Sequence, residues 1–391
     1  MRILFCSVGL VGHFNPLVPF IEAAQARGDE VMVVVPPKLK EVLEGMGVSY
    51  RISDEPDSDA AESIWDRAAE APKSEAVGLI DGEFFGRLCT EAMLPMVEET
   101  CDQFGPEVIL REPCAYAGVV AARQRTIAHA QVAISTAEAE WGLAELVAPI
   151  LSEYGDDIES ALRAAPYLTR FPASLDPSPY PRTIRYREAV AARPQTIDGP
   201  WVTGRRPLLY VTFGSIADGL ALGAAAFRIA IEAVTGLGLT VLVTTGRDFD
   251  LTALDPLPTD VFVERWVPQS EVFARASAVV CHGGSGTSYG ALAAGLPTVF
   301  VPMFADQHTN ARLISDAGAA TVVGEVPSSG FRVLGPSDVA RIRAAVTDVL
   351  TKDSYREAAQ RLAVEIGAAT SVDECLAELA GPDWRRDSPI G

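Results

Sequence analysis

Thirty consecutive residues, 276–305, carry no formally charged side chain. That length would suit a membrane-spanning helix, which needs about 20 predominantly apolar residues. The stretch also contains residues that interrupt a single helix, namely Gly283, Gly284, Gly286, Gly290, Gly295, Pro297 and Pro302. The pattern therefore predicts a buried strand, a glycine-rich loop, a helix and a second buried strand. Fully apolar strands joined through helices are typical of a parallel sheet that is covered on both faces.

The beginning of the chain has the same pattern. Residues 2–8 are an apolar run, residues 14–27 alternate at helical period, and residues 30–35 are a second apolar run. Later strands of this half are predicted at residues 108–110 and 127–134. The first half therefore opens as a β-α-β unit of a parallel sheet.

The pattern restarts at residue 208, which indicates a second lobe. Strands are predicted at 208–213, 239–244, 261–264, 278–281, 297–301 and 321–323, and helices at 221–234, 336–350 and 355–366. Residues 174–207 contain six prolines, so we expect a linker there with little regular structure. The predicted domains are residues 1–200, with the linker from about residue 174, and residues 201–391, whose last helix is a candidate for packing back on the first lobe.

The predicted fold class is α/β, with two Rossmann-like, doubly wound parallel-sheet lobes that face each other across a cleft. Such sheets bind ligands at the carboxyl ends of their strands. The charge balance excludes some ligands: 32 basic against 52 acidic residues give −20, which disfavours nucleic acid and anionic membrane surfaces as partners. The hydrophobic share of 48% indicates a folded rather than a disordered chain.

Cysteine usage and the N-terminus favour a cytoplasmic protein. The six cysteines form no C-x-x-C pair, which is typical of reduced thiols. The first apolar run is too short for a signal peptide. With four histidines in all, a multi-histidine metal centre is not expected. The D-x-D strings at 57–59 and 248–250 are interpreted as solvated charge rather than as a metal motif.

The loop Cys-His-Gly-Gly-Ser-Gly-Thr at 281–287 is the strongest candidate for a binding site. Glycines let a backbone approach an anion closely, and a helix N-terminus presents free N–H groups, so this position suits a phosphate. His282, Ser285 and Thr287 can add donors. The loop lacks the lysine of a Walker motif and does not match G-x-G-x-x-G. A tight turn without a ligand is the alternative.

Five short motifs occur together in a fixed order. They are Gly-His-Phe-Asn-Pro at 12–16, Thr-Phe-Gly-Ser at 212–215, Trp-Val-Pro-Gln at 266–269, His-Gly-Gly-Ser-Gly-Thr at 282–287 and Asp-Gln at 306–307. With these motifs the chain resembles, over essentially its whole length, the nucleotide-sugar glycosyltransferases of the GT-B fold. The resemblance is to the antibiotic and natural-product enzymes of actinomycetes in particular.

The resemblance implies a donor site in the C-terminal lobe. The residues implied are Trp266, Val267 and Gln269 for the nucleobase, Gly214 and Ser215 beside the phosphates, His282, Gly284, Ser285, Gly286 and Thr287 for the diphosphate, and Asp306 and Gln307 for the sugar hydroxyls. A planar indole suits a base, and a carboxylate with an amide suits a polyol. No cofactor and no metal are implied, because the nucleoside-diphosphate sugar is a co-substrate.

The resemblance also implies two catalytic residues in the N-terminal lobe. His13 would be the general base that takes the proton of the acceptor as it attacks the anomeric carbon. Glu112 stands where many relatives have an aspartate that pairs with this histidine. Glutamate is longer by one methylene, so a strand-end surface carboxylate is an equal alternative for Glu112. A purely structural histidine is the alternative for His13.

The implied reaction is inverting, metal-independent transfer of a sugar to a small natural-product acceptor in secondary metabolism. A nucleotide-sugar epimerase of the same fold and a non-catalytic nucleotide-sugar binding protein are the alternatives. The expected partners are the aglycone and the nucleotide sugar, without nucleic acid or membrane, and a homodimer is the candidate assembly. Residues 50–95 and those after Thr136 would shape the acceptor pocket.

Position 290 bears on the choice of nucleotide. In UDP-sugar enzymes of the related plant group, a glutamate eight positions after the motif histidine bonds the ribose hydroxyls, and here that position is Gly290. Without that side chain, a site loses its usual selection for a 2′-hydroxyl. The sequence thus predicts dTDP-sugars, with deoxyhexoses, as donors. The alternative is that Gly290 only allows close helix packing and both nucleotides work.

Overall fold

The computed structural model describes residues 1–188, 199–202, 206–214, 222–325 and 332–381. The chain divides into two compact units. Of the described residues, 1–188 and 369–381 belong to the first unit. The second unit holds residues 199–202, 206–214, 222–325 and 332–368. Both units are parallel-sheet α/β structures.

The first unit is built on an eight-stranded sheet. Its strands are β1 (Arg2–Cys6), β2 (Glu30–Val35), β3 (Ser49–Ile52), β4 (Val108–Arg111), β5 (Ala128–Val132), β6 (Tyr167–Thr169), β7 (Thr183–Arg187) and β14 (Thr370–Ser371). The strand order is β14-β7-β6-β5-β4-β1-β2-β3, and each neighbouring pair is parallel.

Helices cover both faces of this sheet. They are α1 (Val11–Phe14), α2 (Val18–Ala26), α3 (Lys40–Met46), α4 (Ser58–Glu70), α5 (Lys73–Val77), α6 (Thr90–Phe104), α7 (Tyr116–Arg125), α8 (Ala137–Leu151), α9 (Ile158–Ala164) and α16 (Val372–Ala380), with a π-helical segment at Gly78–Cys89. Alternate residues of β1 serve two cores: Ile3 and Phe5 pack in one, Leu4 and Cys6 in the other. This double burial explains the unbroken apolar run of the sequence.

The prediction that residues 174–207 lack regular structure is wrong at β7. Its five residues pair with β6 on one side and with β14 on the other. The six prolines of this stretch lie before and after β7, and within it Ile184 and Tyr186 are buried while their neighbours are partly exposed. Counting prolines over the whole stretch hid this short proline-free alternation, which is typical of a strand.

The last described helix, α16, belongs to the core of the first unit. Val372, Cys375, Leu376 and Leu379 are spaced as one helical face and pack in the same core cluster as Ile3 and Phe5. Ser371 caps the helix by accepting from the backbone N–H of Glu374, whose carboxylate in turn accepts from the Ser371 N–H.

The second unit has a six-stranded parallel sheet in the order β10-β9-β8-β11-β12-β13. The strands are β8 (Leu208–Thr212), β9 (Thr240–Thr244), β10 (Val261–Glu264), β11 (Ala276–Cys281), β12 (Thr298–Phe300) and β13 (Ala320–Val322). The helices are α10 (Leu222–Val234), α11 (Gln269–Phe273), α12 (Ser285–Ala293), α13 (Gln307–Asp316), α14 (Pro336–Thr351) and α15 (Asp353–Gly367).

The uncharged stretch 276–305 has the predicted form, since β11, a loop, α12 and β12 follow one another in it. Not one of the helices described here is both long enough and apolar enough to cross a membrane.

In each sheet two central strands that are distant in sequence lie side by side: β1 pairs with β4, and β8 with β11. The residues that follow those strands are thereby brought together.

The packing of α16 can be tested by truncating its central side chain. Leu376 is fully buried, so Leu376→Ala should lower the free energy of unfolding by about 2–5 kcal/mol through lost burial and the cavity left behind. Val364→Ala is the control, because Val364 on α15 is 73% exposed and its truncation should cost about 0.5 kcal/mol or less. Urea denaturation followed by circular dichroism measures both, and equal losses would contradict the core assignment.

Candidate active site

His13 and Glu112 come together at the carboxyl ends of β1 and β4. These strands are neighbours, with Cys6 aligned to Arg111, so the turns that follow them share one edge of the sheet. His13 lies on α1, and Glu112 is the first residue after β4. The Nδ1 atom of His13 is 3.1 Å from Oε2 of Glu112. Glu112 is thus an inward-facing partner of His13 rather than a surface carboxylate.

Two backbone donors fix the Glu112 carboxylate, which is fully buried. The N–H of Val8, in the turn after β1, donates to Oε1 at 3.0 Å. The N–H of Cys114 donates to Oε2 at 2.8 Å. Because each oxygen is held by the backbone, the side chain has one orientation, and in that orientation it faces His13.

The imidazole of His13 is held on one side and accessible on the other. Its side chain is 17% exposed, and its ring centroid lies 5.2 Å from that of Phe85 in the π-helical segment. Since Nδ1 is engaged by Glu112, Nε2 is the nitrogen that can exchange a proton with a bound molecule. A histidine oriented by a carboxylate is an arrangement that is suited to general-base catalysis.

Cys114 adds a third possible metal ligand beside this pair. One ligand atom from each of His13, Glu112 and Cys114 lies within 4.8 Å of the others. However, both carboxylate oxygens already accept backbone N–H groups. Burial raises the pKa of the Cys114 thiol well above its usual value, which favours the protonated sulfur over the metal-binding thiolate. The donor set therefore suits a hydrogen-bonded pair better than a divalent cation.

In the second unit, His282 is enclosed by glycine backbone. It follows β11, and a Cβ built on Gly284 would lie 2.3 Å from its Nε2, while one on Gly214 would lie 2.8 Å from its Cε1. Gly214 also has a φ of +75°, which favours glycine. Any larger residue at either position would displace the imidazole.

Two polar atoms at the start of α12 are buried without a hydrogen-bond partner among the described residues. They are Nδ1 of His282 and Oγ of Ser285. Gly284 is the N-cap of this nine-residue helix. Buried polar atoms are normally satisfied, so a helix N-terminus beside two side-chain atoms that lack partners indicates a ligand with oxygen acceptors, such as a phosphate.

Gln269 and Thr287 connect this loop to the neighbouring strands. Nε2 of Gln269 donates to the hydroxyl of Tyr210 at 3.1 Å and to Oγ1 of Thr287 at 3.3 Å. Just before Gln269, Val267 is buried and Trp266 is 57% exposed, with the Arg247 guanidinium 5.0 Å from its ring centroid. The exposed indole offers a flat surface that a planar ring can cover.

Asp306 and Gln307 begin α13, and both take part in local hydrogen bonds. Oδ2 of Asp306 accepts from the Asn310 amide at 3.0 Å, and the same amide donates to the carbonyl of Gly283 at 3.1 Å. Oε1 of Gln307 accepts from the N–H groups of Met303 and Phe304. Gln307 therefore holds the backbone of the loop before α13, and Asn310 links Asp306 to the glycine loop at Gly283.

The structure brings together most of the residues that the sequence singled out, within their own units. Ser215 lies outside the described residues. The D-x-D strings have structural uses: Asp57 caps α4, and Asp250 accepts from the backbone and hydroxyl of Thr252.

Gly290 packs tightly, since a Cβ there would lie 2.5 Å from Phe273. This contact accounts for a glycine at position 290 whichever nucleotide is bound.

Sequence reasoning missed several supporting residues. Asn310 stands four positions after Asp306 on a helix, a spacing that predicts contact. Phe85 lies within residues 50–95, where no helix or strand is predicted from the sequence, and its approach to His13 has no local signal. Tyr210 is an ordinary aromatic strand residue in the sequence, and only the fold places its hydroxyl beside Gln269.

The chain is similar to known proteins over essentially its whole length. Residues 230–380 match the family described as Erythromycin biosynthesis protein CIII-like, C-terminal domain. The elloramycin glycosyltransferase ElmGT of Streptomyces olivaceus is 29% identical over 392 residues, covering 95% of this chain and 99% of that protein. The L-demethylnoviosyl transferase of Streptomyces niveus is 27% identical over 400 residues, covering both chains completely. This chain is a glycosyltransferase.

Its fold is GT-B. The solved structure of the spinosyn rhamnosyltransferase SpnG, complexed with thymidine diphosphate, superposes with a TM-score of 0.77 at 22% identity and covers 97% of this chain and 100% of SpnG. At that identity the likeness concerns the architecture. The His13–Glu112 pair and the loop around His282 are accordingly the candidate catalytic and donor sites of this glycosyltransferase.

The burial of His282 predicts acid sensitivity of the second unit. Burial lowers its pKa to about 4, although a hydrogen bond with the Thr212 backbone opposes this shift. Because an unfolded histidine titrates near pH 6.5, the unfolded state binds the proton first, and stability falls as pH drops from about 6.5 to about 4. The loss has an upper limit of about 1.4 kcal/mol per pH unit.

Thermal unfolding of the wild type and of His282→Gln at pH 7.0 and pH 5.0 measures this effect. The wild type should lose more stability between the two pH values than the variant, in which no group titrates at this position. Equal losses in both proteins would show that the histidine is not buried in its neutral form.

Proposed function

We propose that this glycosyltransferase moves a deoxyhexose from dTDP to a small natural-product acceptor, with inversion and without a metal ion. The observation that carries the proposal is the 3.1 Å contact between His13 Nδ1 and the buried Glu112 carboxylate. This pair has the orientation that a general base needs, with Nε2 left for the acceptor.

The proposed reaction is a single displacement at the anomeric carbon. The acceptor hydroxyl gives its proton to Nε2 of His13 while its oxygen bonds the anomeric carbon and the bond to the diphosphate oxygen breaks. Attack from the face opposite the leaving group inverts the configuration. The positive charge that forms on the imidazole is stabilised by the Glu112 carboxylate, which the N–H groups of Val8 and Cys114 hold in place.

The proposed leaving-group site is the start of α12. The unsatisfied Nδ1 of His282 and Oγ of Ser285 would meet the phosphate oxygens together with the free N–H groups of the helix. Negative charge grows on the diphosphate as the sugar leaves, so these preorganised dipoles would act mainly in the transition state. Gly214 and Gly284 serve this site by leaving room for the imidazole.

The proposed contacts to the sugar and the base involve α13 and Trp266. Asp306 is half-buried at the start of α13 and would bond sugar hydroxyls, although the Asn310 amide already uses one carboxylate oxygen. The carbonyl oxygen of Gln307 is occupied by two backbone donors, so its NH₂ group is the part that would reach the sugar. Trp266, 57% exposed, would stack on the nucleobase.

Activity depends on His13 in this proposal. With a labelled dTDP-deoxyhexose and a panel of hydroxyl aglycones, the wild type should release nucleoside diphosphate in step with a glycosylated product, as neither an epimerase nor a binding protein does. His13→Ala should lower turnover by about a hundredfold to ten-thousandfold, because a positioned base contributes about that much. Donor binding should stay unchanged, since the donor residues lie in the second unit.

Glu112→Gln is the companion variant. Its loss should be smaller, because an amide can still orient the ring but cannot neutralise the imidazolium. Near-normal turnover in His13→Ala on a hydroxyl acceptor would overturn the role of the base. Phe14→Leu removes three carbon atoms but no polar group at the buried neighbour of His13, and so controls for local packing effects.

The nucleotide preference can be measured by calorimetry. Position 290 offers no side chain to a ribose 2′-hydroxyl, and SpnG, a relative in fold, binds thymidine diphosphate. We expect dTDP and dUDP to bind more tightly than UDP. The comparison with dUDP separates the missing 2′-hydroxyl from the methyl group of thymine. Clearly tighter binding of UDP would contradict the inference from Gly290.

A further inference from the structure

A fully buried arginine stands directly beside the Glu112 carboxylate. Arg111 is the last residue of β4, and Glu112 follows it. The guanidinium has no exposed surface. Burial lowers the pKa of Arg111, although the residues around it, namely Tyr116, Tyr180, Glu112 and Cys114, act in the opposite direction. Burying a guanidinium costs free energy unless its donors are well paired, so its contacts indicate what it does.

Arg111 binds the backbone of the turn that carries Glu112. Its Nη1 donates to the carbonyl of Glu112 and to the carbonyl of Pro113, both at 3.1 Å. The carboxylate of Glu112 holds the same turn from within, since Oε2 accepts from the N–H of Cys114. The conformation of residues 112–114 is therefore fixed by two sets of bonds, and it decides where the Glu112 carboxylate points.

A second buried pair holds the other end of the guanidinium. Gln131 on β5 is aligned with Arg111 in the sheet, and its Oε1 accepts from Nη2 of Arg111 at 3.0 Å. Nε2 of Gln131 donates to Oε2 of Glu140 at 2.9 Å. The other Glu140 oxygen accepts from the N–H groups of Ile134 and Ser135, which lie between β5 and α8. Gln131 and Glu140 are both buried.

This line of side chains joins α8, β5 and β4 to the turn that carries Glu112. Buried ionic networks are weak evidence for added stability, because apolar residues of the same volume often stabilise a core more. What such a network supplies is fixed geometry, since a guanidinium fork binds several acceptors in one plane. The two carbonyls that Arg111 binds belong to Glu112, which faces His13, and to Pro113.

We propose that Arg111 is a positioning residue for the His13–Glu112 pair and that Gln131 and Glu140 hold its guanidinium in place. The proposal rests on the proposed role of His13 as the base. Arg111 acts on the reaction through Glu112, whose direction it sets by fixing the 112–114 turn. Loss of this fixation separates the carboxylate from the imidazole without removing either group.

Arg111→Lys tests the proposal, because lysine keeps the charge but cannot bind two carbonyls and the Gln131 amide as a fork. We expect kcat/KM for the acceptor to fall by about tenfold to a hundredfold, as is usual when a catalytic group is displaced by about 1 Å. The affinity for dTDP should not change. The pH profile of kcat/KM should change in the same way as in Glu112→Gln, because in both variants the imidazole loses its carboxylate partner.

Glu140→Gln is a second test that preserves the size of the side chain. A carboxylate accepts on both oxygens, whereas a carboxamide has a single acceptor oxygen, so either Gln131 or the backbone of Ile134 and Ser135 loses a partner. We expect a smaller fall in kcat/KM and the same direction of change in the pH profile.

Asp176→Asn is the matched control. Asp176 is also a buried carboxylate at the start of α8, where both of its oxygens accept from the N–H of Ala137. Its side chain has no hydrogen bond to Arg111 or Gln131 among those described. Asp176→Asn should lower thermal stability as Glu140→Gln does, yet keep wild-type kcat/KM and pH profile at temperatures where the protein is folded.

The proposal is overturned if Arg111→Lys keeps the wild-type kcat/KM and pH profile and shows only a lower melting temperature. If Arg111→Lys does not fold, the same result in Glu140→Gln overturns it. It is also overturned if Asp176→Asn loses as much activity as Glu140→Gln. His13→Ala separates this failure from that of the proposed function. Where His13→Ala is inactive and Arg111→Lys is normal, only the positioning role is wrong.

Discussion

Parallel strands that are buried on both faces leave polar side chains few positions except the strand ends, because the faces belong to apolar cores. In the first unit, alternate residues of β1 pack in two different cores. The order of the strands then decides which ends meet. Pairing of β1 with β4 brings the turn that leads to His13 beside Glu112, and pairing of β8 with β11 brings Gly214 beside His282.

The two candidate sites differ in how their polar groups are satisfied. Both carboxylate oxygens of Glu112 have internal partners, namely the N–H groups of Val8 and Cys114 and the His13 imidazole, although Nε of the neighbouring Arg111 has none among the described residues. At the start of α12, Nδ1 of His282 and Oγ of Ser285 have no partner in the part of the chain that the structure describes. A preorganised pair suits proton transfer, and an unsatisfied helix N-terminus suits an anionic ligand. This contrast agrees with the division of labour between acceptor activation and donor binding in a glycosyltransferase.

Much of this arrangement could be predicted from the sequence, because the apolar runs and the motif glycines have direct physical signatures. The strand, loop, helix and strand at 276–305 follow the prediction, and so do the strands β8 and β9 at 208–212 and 240–244. The strand β7 could not be predicted from proline content. The last helix was predicted only as a candidate for packing on the first lobe, because residue spacing shows its apolar face but not the core that this face joins. The Arg111–Gln131–Glu140 line was equally hidden, since its members are 20 and 9 positions apart.

The central claim is that His13 and Glu112 act as one catalytic unit, and a double-mutant cycle on turnover tests it most directly. Rates are measured for the wild type, His13→Ala, Glu112→Gln and the double variant on one hydroxyl acceptor. If the carboxylate acts only through the imidazole, Glu112→Gln causes no further loss once His13 is alanine. Multiplication of the two separate losses in the double variant would contradict the claim, because Glu112 would then contribute independently of His13.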